Sequence, residues 1–462
     1  MTGEPKPAGD GPINIEVLTP TDAEAAQARA AGWLASAGLR SGDRVAFCLP
    51  SSSALLCAVL GALRTGVIPV LLNATLLEAE RDRLIADAAP GLVVTDEADL
   101  AALDSGIPVE LDPYPRGRPM HYTSGTTGQS KGVWSGVWDR ATAAEAFDDE
   151  ADLWSFGPDD VHLVCSPMYH SVSVRFAAGT LLRGGTCVIL RRFEASAALG
   201  ALLGEAGVIP TTAFMAPSAL ARLLALGDQL PERFDALRLL VHAGSACPET
   251  LKRKAIDRVG DGVLWEFYGS TEGQFTACSP EAWLDHPGSV GRARPGRTIT
   301  VDDDGTIWCR PPDFGMFDYW RDPDKTASAW RDGAFTVGDL GRLDGDGYLY
   351  LDGRRDDLII SGGVNVYPAE VEHVLAEVAG VAGVAVVGLP DETWGQRVCA
   401  VVVPDSPAGL VDPAPLIGAL EAHAAARMAG FKRPKQYFVV EALPTTATGK
   451  LQRGEVAAQL GV

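Results

Sequence analysis

The sequence is short of the features that define most other protein classes. Its eight cysteines, at 48, 57, 165, 187, 247, 278, 309 and 399, form no C-x-x-C pair and sit in apolar surroundings. That argues against a disulfide framework and reads as buried thiols in a reducing cytosol. Lys and Arg total 39 against 60 Asp and Glu, a formal charge of -21, and no basic run carries interleaved aromatics. Nucleic acid is therefore not expected as a partner, nor is an anionic membrane surface, although local basic pockets for small phosphorylated ligands stay open. No uninterrupted apolar run reaches membrane-spanning length, and residues 1–13 lack the apolar core of a signal peptide. A soluble, cytoplasmic protein with no membrane partner is the expectation. Internal repeats and long low-complexity segments are also missing.

What is present is length and alternation. A chain of 462 residues is too long for one ordinary core, so at least two domains are expected. Helical patterns at 21–38, 53–64 and 77–88 trade places with strand-like runs at 43–49, 67–72 and 91–95, the rhythm of a parallel α/β sheet. Further strands are expected at 161–165, 186–190, 212–214, 237–242 and 263–267. Beyond Gly288 the texture becomes turn-rich, with hairpin signals at 299–309 and 341–351. The last hundred residues mix strands at 358–360, 385–387 and 399–403 with helices at 368–378 and 415–429. The turn at 353–357 places a boundary near Asp356. The expected fold class is α/β: a large N-terminal domain of doubly wound sheets with a small β-rich subdomain, residues 1–355, then a smaller mobile α+β domain, residues 356–462.

Residues 122–133 concentrate hydroxyls, glycines and one lysine. Glycines at 125, 128 and 132 let backbone N–H groups approach an oxyanion; Ser124, Thr126 and Thr127 add donors and Lys131 a point charge. A phosphate-binding loop is the reading, although no Lys-Ser or Lys-Thr pair gives it the spacing of the common NTPase loop. A plain Ser/Thr/Gly linker would not explain the flanking Tyr122, the terminal Val133 or the lysine just after the glycines.

Three further stretches carry candidate chemistry. Glu266-Phe267-Tyr268-Gly269-Ser270-Thr271-Glu272-Gly273 follows a strand, where α/β sheets bind ligands, and its hydroxyl and carboxylate suit Mg²⁺. Asp339, after Val337-Gly338, and Arg354, after Gly353, could hold a ribose. Lys450 lies in a loop of Thr, Gly and Pro near the C-terminus. Each has a bland alternative as a packed tyrosine, a turn charge or a solvated lysine.

Together, in this order and at these separations, the four motifs resemble the adenylate-forming superfamily of acyl-CoA ligases, luciferases and peptide-synthetase adenylation domains, over nearly the whole chain. The resemblance implies that Thr123, Ser124, Gly125, Thr126, Thr127, Gly128 and Lys131 cradle the ATP phosphates. It places Gly244, Ser245, Ala246 and Cys247 at the adenine, with Glu266, Phe267, Tyr268, Gly269 and Ser270 also on the ATP side. Thr271 and Glu272 would hold phosphate and Mg²⁺, with Glu272 the metal ligand; Asp339 and Arg354 would hold the ribose. Lys450 would bridge the substrate carboxylate and the α-phosphate. In physical terms a carboxylate attacking a phosphate brings two anions together, so the site must supply positive charge and dipoles.

The branch is indicated by the segment 166–173. No aspartate stands there, which disfavours an amino-acid substrate, and His170 resembles the position that lines the carboxylate pocket of acyl- and aryl-CoA ligases. His170 thus joins Lys450, Thr271 and Glu272 as a catalytic candidate. Residues 353–370 are similar to chlorobenzoate and related CoA ligases. That similarity implies Asp356 as a hinge for domain rotation, Gly362 and Gly363 beside a pantetheine channel, and Trp394, Phe431, Lys432, Arg433 and Lys435 on coenzyme A. Two departures are a shorter segment before the glycine loop and Val337 where a Thr often stands. Val172, Phe214, Ala243, Gly244, Gly269 and Ala277 suggest a roomy apolar cavity for an aromatic, polycyclic or branched small-molecule acid. The expected activity is ATP-dependent formation of acyl-AMP and pyrophosphate, then of the CoA thioester. The rivals are an adenylating enzyme passing acyl-AMP to a carrier protein, ligase or downstream acyltransferase, and an inactive nucleotide-binding regulator.

Overall fold

The computed structural model describes residues 15–123, 131–354, 357–361, 364–391, 395–428, 430, 432–445 and 451–460. Two sheets organise the large N-terminal part. One has six strands in the spatial order Asp318–Tyr319, Lys131–Trp134, Met120–Thr123, Ile68–Leu71, Arg44–Phe47, Leu92–Val94. The other has eight: Ile15–Leu18, Thr186–Leu190, Val161–Val164, Thr212–Phe214, Leu239–His242, Leu264–Gly269, Gln274–Cys278, Arg292–Ala293.

Parallel pairing holds in the centre of each sheet and at the Leu92–Val94 rim, and fails at the other rims. Ile15–Leu18 runs antiparallel to Thr186–Leu190, and Gln274–Cys278 antiparallel to Leu264–Gly269. A short turn rather than a helix joins Gly269 to Gln274, so the chain can only reverse direction there. The parallel pairing expected for the first alternation is found between Arg44–Phe47, Ile68–Leu71 and Leu92–Val94, and the strand at 15–18 was not foreseen.

Helices Ser53–Leu63 and Ser171–Leu182 supply the filling between sheets. In the first, every residue from Leu55 to Leu63 is buried, as suits a helix apolar on all sides. Its N-terminus is capped by Ser52 Oγ, which accepts from Leu55 N at 3.1 Å. Side chains of both helices and both sheets, from Val45 and Leu71 to Val174 and Ile189, form one continuous core cluster.

The β-rich part behaves as its turn residues suggest. Thr298–Val301 and Ile307–Arg310 pair antiparallel around the Asp303-Asp304-Gly305 turn, and Asp339–Leu343 pairs with Leu349–Arg354. In the smaller C-terminal part, Val381–Asp391 and Gly395–Pro404 form a long antiparallel pair, with Gln436–Val439 parallel to the latter. The strands expected at 385–387 and 399–403 are the middles of these longer ones. Helices Pro368–Leu375 and Ala414–Arg427 cover this sheet through Val371, Leu375, Leu420 and Ala424. The architecture is thus a large mixed α/β N-terminal domain followed by a smaller C-terminal one. No helix among the described residues is long and apolar enough to cross a membrane.

Candidate active site

The glycine-rich loop lies in a hairpin. Met120–Thr123 pairs antiparallel with Lys131–Trp134, in register His121 with Val133, Tyr122 with Gly132 and Thr123 with Lys131. The loop itself, with Ser124, Gly125, Thr126, Thr127 and Gly128, lies outside the described residues. Tyr122 anchors the incoming strand: its hydroxyl donates to Asp87 Oδ2 at 2.7 Å. On the outgoing strand, Lys131 Nζ stands 2.8 Å from Asp322 Oδ2. Its charge is therefore already answered within the protein. Asp322 also caps helix Pro323–Ala329 by accepting from Lys325 N at 3.0 Å. Hydrogen bonding from Lys131, then from the Lys325 amide, holds the Asp322 carboxyl below its ordinary range.

Thr271 and Glu272 sit in the tight turn that closes Leu264–Gly269 onto Gln274–Cys278. Ser270 N donates to Gly273 O at 2.8 Å, and Glu272 N to Ser270 Oγ at 3.2 Å. Gly273 is required by space, because a Cβ there would stand 2.5 Å from the ring of Phe335. Two residues outside the motif grip the turn. Tyr319 donates its hydroxyl to Glu272 Oε1 at 2.9 Å, and Arg118 Nη1 donates to the Glu272 carbonyl at 2.9 Å. Tyr319 is in the edge strand opposite Val133, so the hairpin of the glycine loop and the carboxylate turn are joined through one short strand. Glu272 is 6% exposed.

That arrangement fits Mg²⁺. Among the described residues no cluster of three or more His, Cys, Asp or Glu could cage a metal, whereas one oriented carboxylate beside a phosphate loop is the usual protein share of a Mg²⁺ site.

Strand alternation divides the stretch 264–269 between two faces. Tyr268 turns to the β-rich side, where its hydroxyl donates to Asp339 Oδ2 at 2.6 Å. Asp339 is 9% exposed and lies in register with Arg354, whose side chain lies outside the described residues. Glu266 also points away from Phe267, into the interior, where Lys252 Nζ donates to its Oε2 and His242 Nδ1 lies 3.9 Å from its Oε1. The structure thus holds Glu266 in a buried ion pair with Lys252. Above it, Gly244, Ser245 and Ala246 are exposed at the end of Leu239–His242, and Cys247 is half-buried. Gly244 adopts φ +94, a left-handed backbone that a side chain would strain.

The other face gathers the expected acid-side residues. Val172, Phe214 and Ala243 belong to one cluster with Phe147, Trp154, Phe156 and Phe176, and Phe267, expected on the ATP side, packs in the same cluster. Ala277 pairs in register with Phe267, and Gly269 stands two residues further along that strand. Phe176 lies 6.0 Å from Phe214, and Phe214 6.1 Å from Phe267, ring centre to ring centre. Behind the small residues expected to line the acid's cavity lies a packed aromatic layer. His170 forms the N-cap of Ser171–Leu182 and packs against Tyr169 at 4.4 Å. Burial pulls its pKa down to about 4, and its Nε2 has no hydrogen-bond partner among the described residues. It is a neutral wall at physiological pH rather than a cation.

On the C-terminal side, Lys450, Asp356, Gly362, Gly363, Trp394 and Phe431 lie outside the described residues. The neck of the lysine loop is described: Thr445 and Leu451 pair antiparallel, and Gln452 N donates to Pro444 O at 2.9 Å. Lys432 is paired with Glu370. Arg433 donates to the carbonyls of Met428 and Ala425, and Lys435 to that of Gly430, so these cations also bind their own domain. The cysteines are free and buried, Cys247 partly, as expected of inert thiols; burial pushes Cys57 and Cys165 up to about 12.

Residues 14–114 and 119–313 match the family described as AMP-binding enzyme, and residues 370–450 match the AMP-binding enzyme C-terminal domain. The chain belongs to the AMP-binding enzyme family. It is 33% identical to a feruloyl-CoA synthase of an Amycolatopsis species, over 94% of this chain and 92% of that one. It is 31% identical to an indoleacetate–CoA ligase of Aromatoleum aromaticum, over 93% and 90%. Its fold superposes on o-succinylbenzoate CoA synthetase of Bacillus subtilis, solved with an acyl-adenylate intermediate, with a TM-score of 0.80, 28% identity and coverage of 94% and 92%. These likenesses put the AMP-binding enzyme described here in the acyl- and aryl-CoA ligase branch, an ATP-dependent, AMP-forming class that uses Mg²⁺ and takes CoA as co-substrate.

Proposed function

We propose that the protein activates an aromatic carboxylic acid as its acyl-AMP and transfers the acyl group to CoA, with the two half-reactions served by rotation of residues 356–462 about Asp356. The observation that carries the ATP side is the joining of three motifs. Tyr319 and Arg118 tie the Glu272 turn to the glycine hairpin, and Tyr268 ties the same strand to Asp339.

In the first half-reaction a carboxylate oxygen bonds to the α-phosphorus of ATP and pyrophosphate leaves. Lys131 and the loop amides face the phosphates, Asp339 and Arg354 take the ribose, and Gly244 to Cys247 flank the adenine. Glu272 would hold Mg²⁺, which would neutralise phosphate charge as the leaving group separates. Lys450 is the cation for the reacting carboxylate. In the second half-reaction the CoA sulfur bonds to the acyl carbon, AMP leaves and the thiol proton passes to solvent. Trp394 and residues 431–435 would accompany CoA.

The aromatic layer of Phe214, Phe176 and Phe267 behind His170 supports an aromatic acid over a straight aliphatic one, since ring faces and edges give stacked contacts worth more than area alone. The relatives named for feruloyl-CoA and indoleacetate agree with that choice. No carrier protein or acyltransferase partner has comparable support.

The test is a panel of aromatic, polycyclic and branched acids, measuring acid-dependent pyrophosphate release with ATP and Mg²⁺ and then acyl-CoA by mass after adding CoA. Both products with an aromatic acid are expected. Acyl-AMP without thioester would overturn the CoA step, and activity confined to aliphatic acids would overturn the substrate class.

A further inference from the structure

A buried arginine network lies against the aromatic layer and has no part in the reaction above. Arg175 is on Ser171–Leu182, one turn beyond Val172. Its Nη1 donates to Glu150 Oε2 at 3.1 Å, and its guanidinium carbon lies 5.5 Å from the centre of the Phe267 ring. Glu150 is shared, because Arg294 donates to the same oxygen at 3.1 Å. Asp149 is shared too, accepting from Arg294 at 2.9 Å and from Arg297 at 2.8 Å.

Three guanidinium groups therefore face two carboxylates. Their side chains are 18%, 1% and 5% exposed for Arg175, Arg294 and Arg297, and the Nε of each has no acceptor among the described residues. A surplus positive charge is costly in such surroundings unless an anion answers it. Arg175 is the least served of the three, with a single hydrogen bond to a carboxylate shared with Arg294. A second guanidinium stands near: burial first, and with it the fields of Arg175 and Arg118, hold His121 down to about 3.

Depth decides which part of a substrate Arg175 meets. Phe267 lies two residues before the strand end at Gly269, so Arg175 stacks about 7 Å deeper than the start of the Thr271–Glu272 turn, by ordinary strand rise. An acid reacting at the turn directs its far end towards Arg175. The unpaired Nε edge of a guanidinium matches a carboxylate with two parallel hydrogen bonds.

We propose that Arg175 is a specificity residue that takes a second carboxylate at the far end of the acid, so that the preferred substrate is an aromatic dicarboxylic acid activated at one end. This rests on the reading of the acid pocket given above and deepens it.

Matched acids test it: terephthalate against benzoate, and 4-carboxyphenylacetate against phenylacetate, titrated calorimetrically into the full chain and then assayed for pyrophosphate release. At least one diacid is expected to bind about tenfold tighter than its monoacid, in line with a charge-assisted hydrogen-bonded pair. Arg175→Gln should erase that preference without changing ATP affinity, and Arg175→Lys, which keeps the charge beside Glu150, should restore part of it. The proposal is overturned if no diacid outbinds its monoacid, or if the preference survives in Arg175→Gln. Calorimetry needs no turnover, so failure of every acid to release pyrophosphate would refute the reaction and still leave the binding preference to be read.

Discussion

The hydroxyl of Tyr268 donates to Asp339 Oδ2 at 2.6 Å across 71 residues of sequence, locking the end of the larger sheet to the 339–354 hairpin. The tie fixes the carboxylate assigned to the ribose before ATP arrives. Tyr268→Phe should raise KM for ATP about tenfold, the scale of one hydrogen bond to a charged group, and leave KM for the acid unchanged. Steady-state pyrophosphate release with each substrate varied in turn checks this. Equal rises in both constants would mean a general loss of fold.

Tyr319 does for Glu272 what Tyr268 does for Asp339. With Oε1 held at 2.9 Å, Oε2 keeps one direction. Tyr319→Phe should therefore raise the Mg²⁺ concentration for half-maximal activity roughly tenfold, by loosening a metal ligand through its hydrogen-bonded neighbour. A titration at saturating ATP reads it. An unchanged Mg²⁺ curve would show that the hydroxyl only packs.

Asp322 and Lys131 allow a cleaner substitution. Asp322→Asn removes the negative charge while keeping an oxygen for the Lys325 amide, so the helix cap survives. Freed of its counter-charge, Lys131 should draw the phosphates more strongly, lowering KM for ATP several-fold at low salt, with the difference shrinking as ionic strength rises. A higher KM would instead make Asp322 the group that positions Lys131.

The pH dependence of stability follows from buried imidazoles. Burial holds His121 and His162 down to about 3 and His242 to about 4, while the unfolded chain protonates histidine near 6.5. The unfolded state therefore binds more protons below about pH 6.5, so stability is full above that pH and falls as pH drops towards 4. By pH 5 each such histidine costs roughly 2 kcal/mol. Glu150 acts in the same direction lower down: burial raises it, the Arg175 and Arg294 guanidiniums overcome that, and it settles at about 2. Its contribution is present above about pH 4.5 and lost as pH falls towards 2. Melting temperature should decline steadily from pH 7 to 5, and His162→Gln should flatten the slope by one proton. A flat profile would contradict the neutral imidazoles.

What could be read from the sequence was whatever is local. The Thr271–Glu272 turn, the hairpin at 298–310 and the alternation from Thr186–Leu190 to Leu264–Gly269 are strings whose chemistry and spacing suffice. The partner of Glu266 was not legible in its own motif; only the pleat, which sends alternate side chains to opposite faces, shows that its carboxylate turns inward to Lys252. The supporting contacts were hidden for another reason. Tyr319 reaches Glu272 across 47 residues and Arg118 across 154, and neither Phe317-Asp318-Tyr319-Trp320 nor Arg118-Pro119 carries a local pattern that announces its partner. Arg175 was likewise masked, being one charge in an otherwise apolar helix whose counter-charge comes from the helix Arg140–Leu153.

The Thr445–Leu451 pairing has a mechanical side. Arg453, two residues past that closure, binds Glu372 and lies 3.2 Å from Asp357, so the strand that closes the lysine loop is braced against the point where the chain enters the smaller domain. The loop's base and that entry point form one stiff crank. In the rotation proposed above, a twist at the entry would reach the base of the lysine loop with little slack, and a substitution at Arg453 would introduce play between the two.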